Sequence, residues 1–404
     1  MGYSGQHALM PVAEALTQIL ASAPAAPETE TVYLEQAVAR VLAESPTSPV
    51  AVPPADNSSM DGYAVSSQDC QNPATTVPIS QRIPAGSAPL PLEPGTAARI
   101  FTGAEMPAGA DAVVIQENAT EADGHVAFSG PISAGSNVRP KGQDIALGAE
   151  VVYKGRRLQP ADIGLLASTG IDSVRVYRPI KVAIISTGDE LVEPGSSLGA
   201  GKIYNSNRFV LTTLLAKLGC EVVNIGRVQD DLAATTDALE RAAEQADCIL
   251  STGGVSVGEE DYVKAAVEAL GALQLWRMRI KPGKPLAFGH VKQIPFFGLP
   301  GNPASSLITF TLFVRPFLLK MQGAHIEPPL RLSVAAGFER SSAGSREEYM
   351  RARYENGVVN IHQNQSSGML SSASWANGLV VVYPHQTVAM GDLVEFIPFS
   401  ELLN

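Results

Sequence analysis

Acidic residues gather after three buried-strand runs, where a divalent cation would need them. KVAIIS leads into Thr187-Gly188-Asp189-Glu190, CEVVNIGRV into Asp230-Asp231, and DCILSTGG into Gly258-Glu259-Glu260-Asp261. Hard cations such as Mg²⁺ take oxygen ligands of this kind. Any one carboxylate alone reads as the cap of a following helix, as Asp231 and Asp261 would be. The set reads as a functional edge. Beside it, Thr252-Gly253-Gly254 lets backbone N–H groups approach an anion closely, and is equally a tight turn. Gly298-Leu-Pro300-Gly301-Asn302-Pro303-Ala-Ser305-Ser306 is a rigid turn into an apolar helix, whose N-terminus suits a phosphate or carboxylate.

Charge is distributed unevenly. No acid lies between Glu268 and Glu327, where about six would be expected from 40 acids in 404 residues. The same stretch carries Arg277, Arg279, Lys281, Lys284, Lys292, Arg315 and Lys320. One basic, acid-free segment in a chain of net charge −11 points to an anionic ligand. Few aromatics interleave it, which argues against nucleic acid. The alternative is a solvated strand face.

The elements that must position these residues follow from hydrophobic period. Residues 178–327 alternate strand and helix: Leu211, Leu214, Leu215 and Leu218 mark one helical face, and Val263, Ala266, Val267 and Leu270 another. Such alternation predicts an open parallel α/β sheet covered on both faces, with ligands beyond the carboxyl ends of its strands. Residues 46–145 are short apolar runs punctuated by Pro and Gly, a small all-β domain. Helices are predicted over 8–20, 32–44 and 158–170, making 1–45 and 146–177 one discontinuous helical region. Residues 328–404 read as short strands with polar turns, a second small β domain.

The chain is 45% hydrophobic and 17% charged, as folded multidomain proteins are. No apolar run approaches the roughly 20 residues that cross a bilayer, and no secretory signal is read at the N-terminus. Neither nucleic acid nor membrane is expected as a partner. Cys70, Cys220 and Cys248 are odd in number and far apart, the pattern of reduced thiols in a cytoplasmic protein. Composition and spacing alone yield an anion-binding, metal-assisted α/β enzyme without a named substrate.

Nine segments carry a resemblance. DNSSMDGYA, FTGAEMPAGAD, RPKGQD, STGDEL, STGGVSVGEEDY, KPGKP, GLPGNPASS, SREEYMRAR and NQSSGMLSSASWANGL resemble, in this order, segments of the MoeA family. That family is the molybdopterin molybdenumtransferases, related to the E domain of gephyrin and its plant counterpart. The resemblance covers nearly the whole chain. It implies an elongated homodimer with four domains per chain, the last β-barrel-like, and a cleft between the α/β domain and the partner subunit's β domain. It implies that adenylylated molybdopterin and molybdate are the substrates, that AMP is released, and that Mg²⁺, or Zn²⁺ in some descriptions, assists.

By motif position, the resemblance assigns Asp61, Thr102, Arg139 and Asp144 to the β-domain side of that cleft. Glu190, Asp230 and Asp261 become the metal-binding acids. Lys281, Lys284, Gly253, Gly254, Pro300, Pro303 and Ser305 become the basic strand and the anion-binding turns. Arg277 stands where another basic residue is expected and ranks below the two lysines, and Arg346, Arg351 and Ser367 become weaker candidates for molybdate contacts. The glycine expected before Arg346 is absent, since Ser345 stands there. Molybdopterin adenylyltransferase and the molybdoenzymes or carriers that accept the cofactor are implied partners. An adenylyltransferase-like enzyme, or a non-catalytic molybdopterin-binding scaffold, is the alternative.

Overall fold

The computed structural model describes residues 9–72, 76–253 and 262–403. Helix Val12–Ala21 follows Pro11 and buries Val12, Ala15 and Ile19. The helix expected over 32–44 is absent. Thr29–Tyr33 is instead a strand, followed by a short 3₁₀ turn at Leu34–Gln36. Thr29–Tyr33 pairs antiparallel with Ser173–Tyr177, so a distant strand supplies its hydrogen bonds. Leu34, Ala37, Val41 and Leu42 are buried without forming a helix, and Ala39 takes a left-handed φ of 64°. The helix predicted at 158–170 is present as Pro160–Ser168, closed by a capping box between Gln159 and Asp162.

The first β region forms a six-stranded sheet in the order 112–115, 62–65, 97–100, 76–83, 125–128, 119–122. Gly62 sits where chains press together: a Cβ there would stand 1.9 Å from the Val114 carbonyl oxygen.

The α/β sheet runs Glu221–Val228, Lys181–Thr187, Cys248–Thr252, Ile294–Leu299, Pro285–Val291, Gly271–Arg277. The first four strands are parallel, as expected, and the last two add an antiparallel edge. Successive connections leave Lys181–Thr187 for opposite sides, opening a crevice at its carboxyl end. Helix Ser206–Lys217 covers one face through Leu211, Leu214 and Leu215. Leu232–Gln245 and Tyr262–Leu270 cover the other. Asp231 caps Leu232–Gln245 by accepting the Ala234 amide.

Residues Pro303–Met321 form one continuous helical stretch, with a π turn at Phe310–Val314 just before Pro316. At 19 residues and mean hydropathy 1.3 it is long and apolar enough to cross a bilayer, which corrects the reading that no such run exists. It is 83% buried, however, with Phe310, Phe313 and Phe317 inside the main core. Its apolarity is that of a central helix.

Beyond it, five strands close on themselves. Glu347–Glu355 pairs with Val358–Ile361, which pairs with Leu332–Ala336, then Leu393–Pro398, then Gly378–Val382, which returns to Glu347–Glu355. Val334, Met350, Val359, Val380, Val394 and Phe396 fill this barrel. The two-residue strand Ile280–Lys281 pairs in parallel with the first two residues of Glu347–Glu355, so the α/β domain lends a strand to the barrel.

Candidate functional site

A cavity of about 830 Å³ opens at the carboxyl end of the parallel sheet. Its floor is Thr187, Thr252 and Gly253, at the ends of the two central strands. Gly253 takes φ +89°, and a Cβ would stand 2.8 Å from the Thr187 carbonyl oxygen, so backbone meets backbone here. The Thr187 hydroxyl is buried and makes no hydrogen bond.

Glu190 lines the cavity after a turn at Gly188, whose missing Cβ leaves room for the Glu190 carboxylate, 2.5 Å from where it would be. Asp230 does not line the cavity; its Oδ2 accepts the Asp189 amide at 3.1 Å and fixes the turn bearing Glu190. Asp261 and Gly254 lie outside the described residues. Among the described residues no group of three potential metal-binding side chains forms, and Glu190 is the one acid in the lining.

The second wall starts helix Ser206–Lys217. Asn205 Oδ1 caps it by accepting the Arg208 amide at 3.3 Å, which leaves the buried Nδ2 without a partner. Asn207 Nδ2 donates to the Gly301 carbonyl at 2.7 Å, tying this helix to the proline turn. Pro300, Gly301, Asn302, Pro303 and Ser305 form the third wall. The basic strand supplies Lys281 and Lys284, and the barrel supplies Arg346, Gln365 and Ser367. Among the described lining residues, three cationic side chains thus share the cavity with one carboxylate. The Ala304 amide donates to the Ser367 carbonyl at 2.9 Å, locking barrel loop to helix start.

Other candidates stand elsewhere. Arg277 is exposed at the end of its strand and does not line the cavity. Arg351 is 1% exposed and lies behind the wall. Its Nε donates to Ser372 Oγ and its Nη2 to the Ser366 carbonyl, while its backbone is bonded in both directions by the Gln365 amide. Burial pushes its guanidinium down to about 10. It holds the loop that lines the cavity and does not itself line it.

Asp61, Thr102, Arg139 and Asp144 sit on the β region, outside the cavity of their own chain. The Thr102 amide and hydroxyl both donate to Asp61 Oδ1, at 2.8 and 2.7 Å, and hold its carboxyl below the usual range. Arg139 and Asp144 are exposed. Asn205, Asn207 and Gln365 were missed from sequence. IYNSNR does carry a signal, an Asn cap directly ahead of an apolar helix.

Cavity and fold together define a multidomain α/β protein with a cation-lined cavity at the carboxyl edge of its parallel sheet. Residues 183–320 match the family description "Probable molybdopterin binding domain". Residues 10–170 match the MoeA N-terminal region, domains I and II, and 333–399 the MoeA C-terminal region, domain IV. A molybdopterin molybdenumtransferase of Haemophilus influenzae is 39% identical over 97% of this chain and 99% of its own length. Another from Nostoc is 38% identical over 88% and 85%. The crystal structure of a molybdopterin biosynthesis MoeA protein from Pyrococcus horikoshii superposes with TM-score 0.84 at 31% identity, covering 96% of this chain and all of that one. The chain belongs to the MoeA family.

Proposed function

We propose that this chain is a molybdopterin molybdenumtransferase, which inserts molybdate into the dithiolene of adenylylated molybdopterin and releases AMP. The observation that carries the reading is the convergence of Lys281, Lys284 and Arg346 on one cavity at the carboxyl edge of the sheet. Molybdate and the phosphoanhydride are both anions, and these cations hold them. The helix start at Pro303 adds its dipole to the same field. No side-chain nucleophile is required. A molybdate oxygen or a water attacks phosphorus, and preorganised positive charge stabilises the charge that builds on the departing AMP.

Mg²⁺ fits this edge. It takes one or two carboxylates and completes its shell with water and substrate phosphate oxygens. Glu190 offers a carboxylate inside the cavity, Asp230 a second one step behind it, and Thr187 an unpartnered buried oxygen. When bound, the ion polarises the phosphoanhydride as a Lewis acid. Zn²⁺ suits the site less, because no Cys or His stands among its described lining residues.

The enzyme acts as a homodimer in the cytoplasm, receives its substrate from molybdopterin adenylyltransferase and passes its product to molybdoenzymes or carriers. The three buried free thiols are compatible with a reducing compartment. The test is AMP release from adenylylated molybdopterin with Mg²⁺, with and without molybdate. Molybdate-dependent release, with reconstitution of an apo-molybdoenzyme, is expected. Tight binding without AMP release would make the chain a carrier, and AMP transfer onto free molybdopterin would make it an adenylyltransferase.

A further inference from the structure

The strand bearing Lys281 is registered on the barrel, with Lys281 opposite Glu348. Glu348 is a buried carboxylate, 5% exposed, in a position where an ion needs compensation. Arg340 provides it in a two-pronged pair: Nη1 donates to Oε2 at 2.8 Å and Nη2 to Oε1 at 2.7 Å. Lys281 Nζ stands 3.4 Å from the same Oε2, a longer ionic contact. Gly344 makes room for the pair, since a Cβ there would come within 2.9 Å of Glu348 Oε1 and 3.2 Å of Arg340 Nη2.

The arithmetic of charge matters here. A carboxylate whose sole partner was Lys281 would cancel the lysine and blunt its pull on a ligand. With Arg340 satisfying both oxygens, the trio keeps one net positive charge, and it resides on the half-exposed Lys281 that lines the cavity. Glu348 still restrains the flexible lysine stem, so less rotamer freedom is lost when a ligand arrives. We propose that Glu348, with Arg340 as its counter-ion, is a positioning residue that aims the Lys281 ammonium at a tetrahedral oxyanion in the cavity, molybdate or the phosphate of the pterin substrate. The C-terminal barrel thereby sets the strength of an anion subsite carried by the α/β domain. This rests on the transferase reading, and it names a part of the site that reading leaves without a role.

The experiment is steady-state AMP release by wild type and Glu348→Gln, with molybdate and adenylylated molybdopterin varied in turn, alongside calorimetric titration of molybdate alone. KM for one of the two rises by about tenfold while kcat stays within about twofold, the pattern of a lost binding contact. The substrate whose KM moves identifies the oxyanion. In a Lys281→Ala background, Glu348→Gln adds nothing further, because its effect runs through the lysine. Should Glu348→Gln fail to fold, the pair Arg340→Gln with Glu348→Gln removes both buried charges together and gives the same kinetic readout. A folded variant with both KM values and molybdate affinity unchanged overturns the proposal, as does an equal loss in the Lys281→Ala background. Absence of molybdate-dependent AMP release by wild type would instead overturn the transferase reading. The titration would still decide whether Glu348 governs oxyanion binding.

Discussion

Single charges in the basic segment differ in what they can reach. Lys284 lines the cavity, whereas Arg277 points to solvent from the last residue of an edge strand. Lys284→Ala is expected to lower kcat/KM for AMP release by about 100-fold, the scale of one lost electrostatic contact to a transition state. Arg277→Ala should stay within about twofold of wild type, as surface changes away from a site do. Paired kinetics of the two variants check this, and equal losses would place Arg277 in the site. Motif position ranks Arg277 below the two lysines, but spacing alone does not separate them. Arg277, Arg279 and Lys281 alternate as if on one face of a single strand. In the fold the strand ends at Arg277 and the chain crosses to the barrel edge at Ile280–Lys281, so the period no longer describes one face. Arg351 was out of reach for a related reason: burial behind a loop is a tertiary fact, and composition carries no trace of it.

Among the elements, the turns after the parallel strands are the least tolerant. Gly253→Ala would force a left-handed φ on a residue with a Cβ and drive that Cβ against the Thr187 carbonyl. It should cost about 2 kcal/mol of stability and abolish AMP release, measured by denaturant unfolding and turnover. Unchanged stability would mean that the turn relaxes freely.

The start of strand Lys181–Thr187 is tethered differently. Burial pushes the Asp247 carboxyl up, but hydrogen bonds from Arg178 and from the Lys181 amide outweigh this and hold it below its usual range. A depressed carboxylate stabilises the fold fully above its unfolded pKa of about 3.9. The contribution is lost as pH falls through the lower folded value. Asp247→Ala should therefore cost about 2 kcal/mol at pH 7, with the gap to wild type closing below about pH 4. Unfolding curves at the two pH values check it, and a gap independent of pH would remove the charge from the explanation.

Element types were legible where a segment makes its own hydrogen bonds or fills both faces of a sheet. KVAIIS and DCILST are such runs, and Asp231 advertised its cap. The predicted helix at 32–44 failed because Thr29–Tyr33 finds its partner 140 to 148 residues later, at Ser173–Tyr177. The antiparallel edge of the α/β sheet was equally unreadable, since GALQLWR and PLAFGHV carry no mark of strand direction.

At the scale of the whole molecule, the β-region residues stand apart from the cavity. Asp61 and Thr102 form a tight, oriented pair on the β region, yet neither lines the cavity of its own chain. The family resemblance offers an explanation: in a homodimer the partner subunit's β region would complete the cleft. Complementation decides between a shared site and an unrelated structural pair. Asp61→Ala and Lys281→Ala proteins are each expected to turn over at about a hundredth of the wild-type rate alone. If one chain supplies the cavity and its partner the β face, a mixed dimer holds one wild-type site and one doubly defective site. Equal mixing and random exchange then restore about a quarter of wild-type turnover, since half of the dimers are mixed and each has one intact site of two. A site contained within one chain would restore nothing, because every cavity would still carry one of the two defects. Activity recovered on mixing would also explain why local sequence patterns identified both halves of the site without revealing that they belong to different copies of the chain.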